Sequence, residues 1–197
     1  MFFATVLALI VGCAQKSAPL PAGSTVLALG DSLTFGTGAT DDTSYPAVLA
    51  AATGWSIVNA GVPGDTAQQG CNRLQPLLDE HRPRLVLVFL GGNDILRRQS
   101  AQTMTAGLAH CVRDAKAAGV PLVLFAVPKF DLTGFSDTPV FAEFATSSGV
   151  QFLSPRLGAL LRDDAMRSDS VHLNANGYRA LATNVADGLR QLGYLAR

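Results

Sequence analysis

Residues 83–94, Pro-Arg-Leu-Val-Leu-Val-Phe-Leu-Gly-Gly-Asn-Asp, carry the clearest structural signal in the chain. Their six apolar residues, Leu85–Leu90, lie between a proline-containing turn and a Gly-Gly pair. An unbroken apolar run of this length between turn residues predicts a strand that is buried on both faces. Such strands belong to parallel sheets that helices cover on each side. The polar Asn93 and Asp94 follow directly, at the carboxyl end where ligands bind in sheets of this kind.

Short apolar stretches alternate with longer amphipathic ones on both sides of this strand. The other predicted strands are Val26–Leu29, Ile57–Val58, Leu122–Val127 and Val150–Leu153. The predicted helices are Ser44–Thr53, Thr66–His81, Gln102–Ala118, Thr138–Ser147 and Ala175–Leu192. This alternation predicts an α/β fold, a three-layer α/β/α sandwich of about five parallel strands in the flavodoxin-like order 2-1-3-4-5. The winding reverses between strands 1 and 3, so a site is expected in the crevice there.

Composition excludes several other classes of protein. The chain has 197 residues, of which 48% are hydrophobic and 15% charged, and its 15 basic residues balance its 15 acidic ones. A chain of this size suits one domain with a full core, and its hydrophobicity excludes disorder. A nucleic-acid partner is not expected, because there is no basic excess. The three cysteines contain no Cys-x-x-Cys pair, so neither a disulfide scaffold nor a metal site is predicted.

The first 13 residues have the pattern of a signal peptide. The apolar run Phe2–Val11 is too short to span a bilayer, which needs about 20 residues. Its end, Leu-Ile-Val-Gly-Cys13, resembles a bacterial lipobox, although no Lys or Arg precedes the run. Residues 14–24 are expected to form a linker and residues 25–197 the domain. These features predict a location in the bacterial cell envelope, periplasmic or tethered to the membrane through Cys13. The alternative is an apolar N-terminus of a cytoplasmic protein.

The other two cysteines allow two interpretations. Cys71 and Cys111 could form a disulfide in an oxidising periplasm. They could equally be small buried apolar residues, which is where free cysteines are usually found. The sequence does not separate the two interpretations.

Four polar segments lie at the ends of predicted elements. Three follow the first three strands and one precedes the last helix: Gly30–Thr34, Asn59–Thr66, Gly91–Asp94 and Asp169–His172. Taken singly, each segment is ordinary turn chemistry, and Asp31, Asp65 and Asp94 are expected to support the loops by turn hydrogen bonds. The predicted strand order brings the first three segments to one edge of the sheet.

Together these segments contain the groups that acyl transfer requires. The hydroxyl of Ser32 is a poor nucleophile until a base such as His172 takes its proton. That imidazole needs a carboxylate on its other nitrogen, and Asp169 is one turn away in the sequence. The tetrahedral intermediate needs hydrogen-bond donors, which backbone N–H groups and the Asn93 amide could supply. Gly64 has no Cβ, so its backbone could approach the reacting group closely.

The four segments resemble the motifs of the SGNH, or GDSL, hydrolases over about residues 25–192. Gly-Asp-Ser-Leu, a glycine in the second block, Gly-x-Asn-Asp and Asp-x-x-His occur in the order of that family. The stretches Tyr45–Ala47, Asn59–Gly70 and Leu90–Asp94 are most similar to the acyl-CoA thioesterase, lysophospholipase and arylesterase branch.

This resemblance implies a role for each residue of the site. Ser32 would be the nucleophile, His172 the base and Asp169 the carboxylate that orients it. The oxyanion hole would consist of the Ser32 N–H, the Gly64 N–H and the side chain of Asn93. The protein would hydrolyse carboxylic esters or thioesters, such as acyl-CoA or a lysophospholipid, through an acyl-enzyme and without a cofactor.

Three other functions remain as alternatives. One is a carbohydrate O-acetylesterase of the same family. Another is a flavin-binding protein of flavodoxin type, because residues 37–40 partly resemble a phosphate-binding loop, but Asp169 and His172 would then be idle. The third is a binding module on the same fold without catalysis.

The segment 128–144 bears on the choice of substrate. Its phenylalanines include Phe130, Phe135, Phe141 and Phe144. They could form an apolar wall for an acyl or aryl group, or they could cap the core. Both interpretations stay open, and the oligomeric state is not predicted.

Overall fold

The computed structural model describes residues 17–131, 134–136 and 138–196 of the chain. The predicted signal segment, including Cys13, lies outside these residues. No helix within the described part of the chain is long and apolar enough to cross a membrane.

The core of the fold is a five-stranded parallel sheet. Its strands are β1 (Thr25–Gly30), β2 (Ser56–Gly61), β3 (Leu85–Phe89), β4 (Leu122–Phe125) and β7 (Gln151–Leu153). They lie side by side in the order β2-β1-β3-β4-β7. The predicted flavodoxin-like order is therefore confirmed. The fifth strand of this sheet is the seventh along the chain because a short antiparallel pair, β5 (Lys129–Asp131) and β6 (Gly134–Ser136), precedes it.

Helices cover both faces of the sheet, which confirms the three-layer sandwich. They are α1 (Ser32–Phe35), α2 (Tyr45–Thr53), α3 (Ala67–Asn72), α4 (Leu74–His81), α5 (Gly92–Leu96), α6 (Ala101–Ala117), α7 (Val140–Ser148), α8 (Leu157–Arg162) and α9 (Ala175–Leu192). Short 3-10 turns occupy Asp41–Thr43 and Asp164–Met166. Helices α2 and α9 pack together on one side of the sheet, and α3, α4 and α6 pack together on the other.

Two predicted elements were wrong in extent, and the short helices α1, α5 and α8 have no counterpart among the predicted helices. The single helix expected over residues 66–81 is broken at Arg73 into α3 and α4. The strand expected over Leu122–Val127 ends at Phe125, and the chain then enters the β5–β6 hairpin, which was not predicted. The bounds of α9 were correct: Asn174 caps its N-terminus by accepting from two backbone N–H groups, and Gly193 follows its end.

The interior is built around the two central strands. All five residues of β3 are buried, as an apolar run without alternation predicts. Tyr45 at the start of α2, Phe89 and Phe125 form a cluster of rings with centroids 5.3–6.3 Å apart. Aromatic contacts in these edge-on and tilted geometries add to the stabilisation from apolar burial.

A disulfide joins two of the helices on one face of the sheet. Cys71 of α3 and Cys111 of α6 are bonded, with 4.9 Å between their Cα atoms, and both side chains are buried. The structure therefore agrees with the first of the two interpretations that the sequence allowed, in which Cys71 and Cys111 form a disulfide.

Part of the predicted linker belongs to the folded body. The N–H groups of Ser17 and Leu20 donate to the carbonyls of Leu192 and Tyr194, at 3.2 and 2.9 Å. The indole of Trp55 donates to the Leu20 carbonyl. Ser17 and Leu20, within the predicted linker, therefore lie against the domain.

Candidate active site

The three segments that follow β1, β2 and β3 meet at the carboxyl edge of the sheet. Gly30 is in register with Gly61 on one side and with Phe89 on the other. The polar residues after these strands therefore begin at the same level and surround the crevice where the winding reverses. The Asp169–His172 segment lies against the same crevice, which His172 borders together with Ser32.

Ser32 occupies the first position of α1. Asp31 caps this short helix by accepting a hydrogen bond from the N–H of Leu33 at 3.0 Å. Helix α1 also lies directly against β2, because a Cβ at Gly61 would collide with the backbone of Phe35. The serine is thus presented at the strand end by a rigid turn.

The hydroxyl of Ser32 is linked to Asp169 through His172. The distance from Ser32 Oγ to His172 Nε2 is 2.9 Å, and that from His172 Nδ1 to Asp169 Oδ2 is 2.7 Å. An ionised carboxylate can only accept hydrogen bonds, so the Nδ1 atom carries the proton and Nε2 can accept from the serine. This protonation pattern is the one in which a histidine can act as a base toward Ser32.

Local hydrogen bonds hold Asp169 in its ionised form. Desolvation is the largest single influence on its pKa and raises it. The backbone N–H of Val171 and the ring and backbone N–H groups of His172 donate to the carboxylate, and together they outweigh desolvation. The pKa of Asp169 is therefore lower than that of an ordinary aspartate.

The two other predicted site residues, Gly64 and Asn93, border the same cavity as Ser32 and His172. The Asn93 Nδ2 donates to the backbone carbonyl of Asp65 at 3.0 Å. Gly64 has a φ of +88°, a conformation that residues with a Cβ rarely adopt. Its carbonyl accepts from Arg97 Nη2 at 2.8 Å, which restrains the peptide. The structure thus brings all five predicted site residues together.

The cavity beside these residues has a volume of about 240 Å³. Its walls are mainly apolar and come from α5, from the β5–β6 hairpin and from α8: Ile95, Leu96, Val127, Phe130, Phe135 and Leu157. The polar residues that border it are Asp31, Ser32, Thr37, Asn93 and His172.

The phenylalanines of segment 128–144 divide between the two roles that the sequence left open. Phe130 and Phe135 line the cavity, with ring centroids 5.2 Å apart, and Phe130 is 55% exposed. Phe141 is fully buried in the core, and Phe144 packs against the core. The hairpin that the sequence did not predict therefore supplies the aromatic part of the wall.

Asp31 differs from an ordinary turn aspartate because its carboxyl group is buried. Only 3% of the residue is exposed, and desolvation raises its pKa to about 7, although the hydrogen bond from Leu33 works in the opposite direction. Asn93 Nδ2 is 3.4 Å from its Oδ2. The predicted turn bond is present, but nothing in the sequence indicated the burial.

Asp65 and Asp94 use their carboxylates in different ways. Asp94 accepts from the N–H of Ala67 at 2.8 Å and so joins α5 to α3. Asp65 forms an ion pair with Arg73 at 2.8 Å rather than a turn bond. Arg73 was not a candidate residue in the sequence, because an arginine within a predicted amphipathic helix gives no sign of pointing to the sheet.

The two remaining histidines lie away from this site. The Nδ1 atom of His110 on α6 is 3.2 Å from Gln68 Nε2 on α3, and His81 lies at the end of α4 beside Glu80. Within the described part of the chain, no group of three or more His, Cys, Asp or Glu side chains is arranged to hold a metal ion.

The chain is similar to known hydrolases in sequence and in fold. The model of the GDSL-like lipase/acylhydrolase family matches residues 28–180. Thioesterase 1/protease 1/lysophospholipase L1 of Escherichia coli (strain K12) is 34% identical over 180 residues, which are 87% of this chain and 86% of that protein. An arylesterase of Vibrio mimicus is 34% identical over 116 residues, or 56% of this chain and 58% of that protein.

The likeness in fold extends over the sheet and its helices. The crystal structure of the psychrotrophic esterase EstA from Pseudoalteromonas has a TM-score of 0.76 at 24% identity, and the match covers 85% of this chain and 97% of that one. The family match and the relatives support ester hydrolysis and give no support to the flavin-binding alternative. The chain therefore belongs to the GDSL-like lipase/acylhydrolase family and is an ester hydrolase.

Proposed function

We propose that this hydrolase cleaves esters or thioesters of acyl or aryl groups, with Ser32 as nucleophile, His172 as base and Asp169 as the carboxylate that orients it. The observation that carries the proposal is the continuous hydrogen-bonded chain from Ser32 Oγ through His172 to Asp169, with distances of 2.9 and 2.7 Å. A base within this distance of a serine hydroxyl is what nucleophilic catalysis requires.

In the first step, Ser32 Oγ attacks the carbonyl carbon of the substrate and passes its proton to His172 Nε2. The new C–O bond turns the carbonyl into a tetrahedral oxyanion, and the histidine becomes an imidazolium. Asp169, ionised and hydrogen-bonded to Nδ1, stabilises this cation and keeps the ring in place.

The negative charge on the former carbonyl oxygen would be held by three donors: the N–H groups of Ser32 and Gly64 and the side-chain amide of Asn93. All three residues border the cavity. Donors that are already oriented stabilise the transition state without reorganisation, and a single one is worth about 3–4 kcal/mol in kcat. Arg97 donates to the Gly64 carbonyl and so restrains the Gly64–Asp65 peptide, which is the neighbour of the peptide that carries the Gly64 N–H.

The second half of the reaction returns Ser32 to its starting state. The imidazolium of His172 gives its proton to the leaving alkoxide or thiolate as the carbonyl reforms, which leaves an acyl group on Ser32. A water molecule then gives a proton to His172 and attacks the acyl carbon. Collapse of this second intermediate releases the carboxylic acid, and the proton returns from His172 to Ser32 Oγ.

The apolar wall favours an acyl or aryl substrate. Among the described residues, four large apolar side chains are prominently exposed, and one follows each of the strands β1 to β4: Phe35, Val62, Leu96 and Phe130. Two of them, Leu96 and Phe130, line the cavity itself. An acetylated carbohydrate would require more polar partners than this lining offers. Relatives named as a thioesterase, a lysophospholipase and an arylesterase act on substrates of the favoured kind.

The experiment that tests this proposal is a substrate panel with two matched serine variants. Turnover of p-nitrophenyl esters from acetate to palmitate, an acyl-CoA and a lysophospholipid would be measured for the native chain, Ser32→Ala and Ser170→Ala. Ser170 is an exposed serine two residues from His172. We expect hydrolysis of acyl or aryl esters that Ser32→Ala abolishes and Ser170→Ala retains. Turnover by Ser32→Ala at the native rate would contradict the proposal.

We also propose that the protein works in the bacterial cell envelope, tethered through a lipidated Cys13. The lipobox-like sequence before Cys13 supports the tether. The disulfide between Cys71 and Cys111 supports an oxidising compartment. Labelled palmitate should enter the native chain and not Cys13→Ser. Equal labelling of the two, or a mature N-terminus elsewhere, would contradict the tether.

A further inference from the structure

Arg73 stands at the one break in the predicted helix over residues 66–81. It ends α3 and starts α4, with φ −89° and ψ −8°. Its side chain reaches the carboxyl ends of the sheet, where Nη2 donates to the carbonyl of Ala60 in β2 at 3.0 Å and more weakly to that of Gly30 in β1 at 3.4 Å. One guanidinium therefore contacts both β1, which directly precedes the Ser32 segment in the chain, and β2, the next strand along the chain.

The same guanidinium holds the loop after β2. Arg73 Nε and Nη2 lie 3.0 and 2.8 Å from Oδ2 of Asp65. The backbone carbonyl of Asp65 accepts from Asn93 Nδ2 at 3.0 Å. A short path of contacts thus leads from Arg73 through Asp65 to the proposed oxyanion donor Asn93, and Gly64 directly precedes Asp65 in the chain.

We propose that Arg73 is a positioning residue for the oxyanion hole. It sets the position of Asp65 relative to the ends of β1 and β2, and the carbonyl of Asp65 in turn orients the amide of Asn93. This inference rests on the proposed function and deepens it, because it names the residue that holds the Asn93 amide in place before substrate arrives. Preorganised donors are effective only when they are held close to the geometry of the transition state.

The contacts favour a positional role over a purely electrostatic one. The side chains of Arg73 and Asp65 are 31% and 14% exposed, so the cation and its carboxylate form a partly buried pair without net charge. What distinguishes arginine at this position is its planar fork, which bonds one carboxylate and two carbonyls at once. A lysine would keep the charge and lose this geometry.

Replacing Arg73 should slow turnover without weakening substrate binding. Arg73→Lys should lower kcat by about 10- to 100-fold, since a small misplacement of a catalytic group has effects of this size. The KM for a p-nitrophenyl ester should change little, because the apolar walls of the cavity are untouched. In an Asn93→Ala background the same change should have almost no further effect on kcat, because the amide that Arg73 positions is gone.

The test is a double-mutant cycle of the native chain, Arg73→Lys, Asn93→Ala and the double variant. For each one, kcat, KM and melting temperature are measured with p-nitrophenyl butyrate. Arg190→Lys is the control, because Arg190 forms an Arg–Asp pair with Asp187 on the surface of α9, away from the site. Loss of stability alone would lower the melting temperature in both backgrounds, and it would not make the effect on kcat depend on Asn93.

Each outcome decides the question. Equal kcat in Asn93→Ala and the double variant, with a slow Arg73→Lys, supports the proposal. Suppose that kcat is low in Asn93→Ala, and that the effects of the two substitutions on kcat add or Arg73→Lys turns over at the native rate. Either result overturns the role of Arg73 and leaves the oxyanion role of Asn93 intact. Native turnover in Asn93→Ala overturns both. If Arg73→Lys does not fold, Asp65→Asn takes its place in the cycle, because it removes the ion pair and keeps the carbonyl that Asn93 contacts.

Discussion

The buried carboxyl group of Asp31 lies 3.4 Å from the side-chain amide of Asn93, so a titratable group stands directly behind a proposed oxyanion donor. Desolvation raises the pKa of this carboxyl to about 7. Its charge therefore changes near neutral pH, in contrast to that of Asp169, whose hydrogen bonds keep its pKa low.

This burial predicts a pH dependence of stability. The folded state binds the Asp31 proton with a pKa of about 7 and the unfolded state with a pKa near 3.8. Between these values the folded state holds more protons, so the contribution of Asp31 to stability falls as the pH rises from about 4 through 7. Asp31→Asn should remove this fall and be more stable relative to the native chain at pH 8 than at pH 4.

Urea unfolding of both chains between pH 4 and 8 checks this expectation. Asp79→Asn is the control, because Asp79 is an exposed carboxylate on α4. An Asp31→Asn chain whose stability follows that of the native chain in parallel over the whole range would show that Asp31 carries no such linkage.

A second prediction concerns Asn93. Asn93→Ala should lower kcat by about 10²- to 10³-fold with little change in KM, because an oxyanion donor acts chiefly in the transition state. Asn93→Asp should be at least as slow, since it places a negative charge toward the oxyanion. If Asn93 were only a turn residue, the alanine variant would melt earlier and turn over normally. Measuring melting temperature together with kcat separates these two cases.

A third prediction concerns Asp169. Asp169→Asn should lower kcat by about 10³- to 10⁴-fold, because an amide can donate to Nδ1 and so favour the tautomer in which Nε2 cannot accept the serine proton. Its backbone bonds to Val171 and His172 can persist through the remaining oxygen. The fold should therefore survive, and a circular dichroism melt near that of the native chain is the control. Native turnover in this variant would remove Asp169 from the mechanism.

The apolar wall gives a fourth prediction. Phe130→Ala should lower kcat/KM for long-chain p-nitrophenyl esters and leave that for the acetate nearly unchanged, because Phe130 lines the apolar wall of the cavity and an acetyl group has little apolar surface to place against it. Phe35→Ala is the matched control, since Phe35 is 50% exposed but does not line the cavity. An equal loss for all chain lengths would show that Phe130 supports the fold of the hairpin rather than binding the acyl chain.

The disulfide gives a fifth prediction. Removing the cross-link between residues 40 apart in sequence should cost about 3–4 kcal/mol of unfolding free energy by the loop-entropy estimate. The double variant Cys71→Ala/Cys111→Ala should therefore melt earlier and keep its kcat below the melting temperature. An unchanged melting temperature would indicate that the bond adds no stability.

The sheet could be predicted from sequence because its signals are local. The apolar run of β3 identifies a strand buried on both faces, and strand–helix alternation then implies the order and the crevice between β1 and β3. The break at Arg73 could not be predicted, because arginine is a good helix former and the break depends on carbonyls and a carboxylate from other segments. The β5–β6 hairpin has strands of only three residues, too short for a periodic pattern.

The candidate site likewise has features that could be predicted from sequence and features that could not. Ser32, Gly64 and Asn93 could be predicted to converge, since each follows a strand of one parallel sheet. The contact of His172 with Ser32 was inferred from the chemistry that a serine nucleophile needs, and the distance of 2.9 Å agrees with it. The burial of Asp31 could not be predicted, because it depends on the packing of several segments around one carboxyl group.

The central claim, that Ser32 is a nucleophile activated by His172, is tested most directly by locating a covalent adduct. The native chain would be incubated with a fluorophosphonate and its peptides mapped by mass spectrometry. We expect one adduct, on Ser32, that is absent from Ser32→Ala and forms far more slowly on His172→Ala. An adduct on another residue, or labelling of His172→Ala at the native rate, would contradict the account.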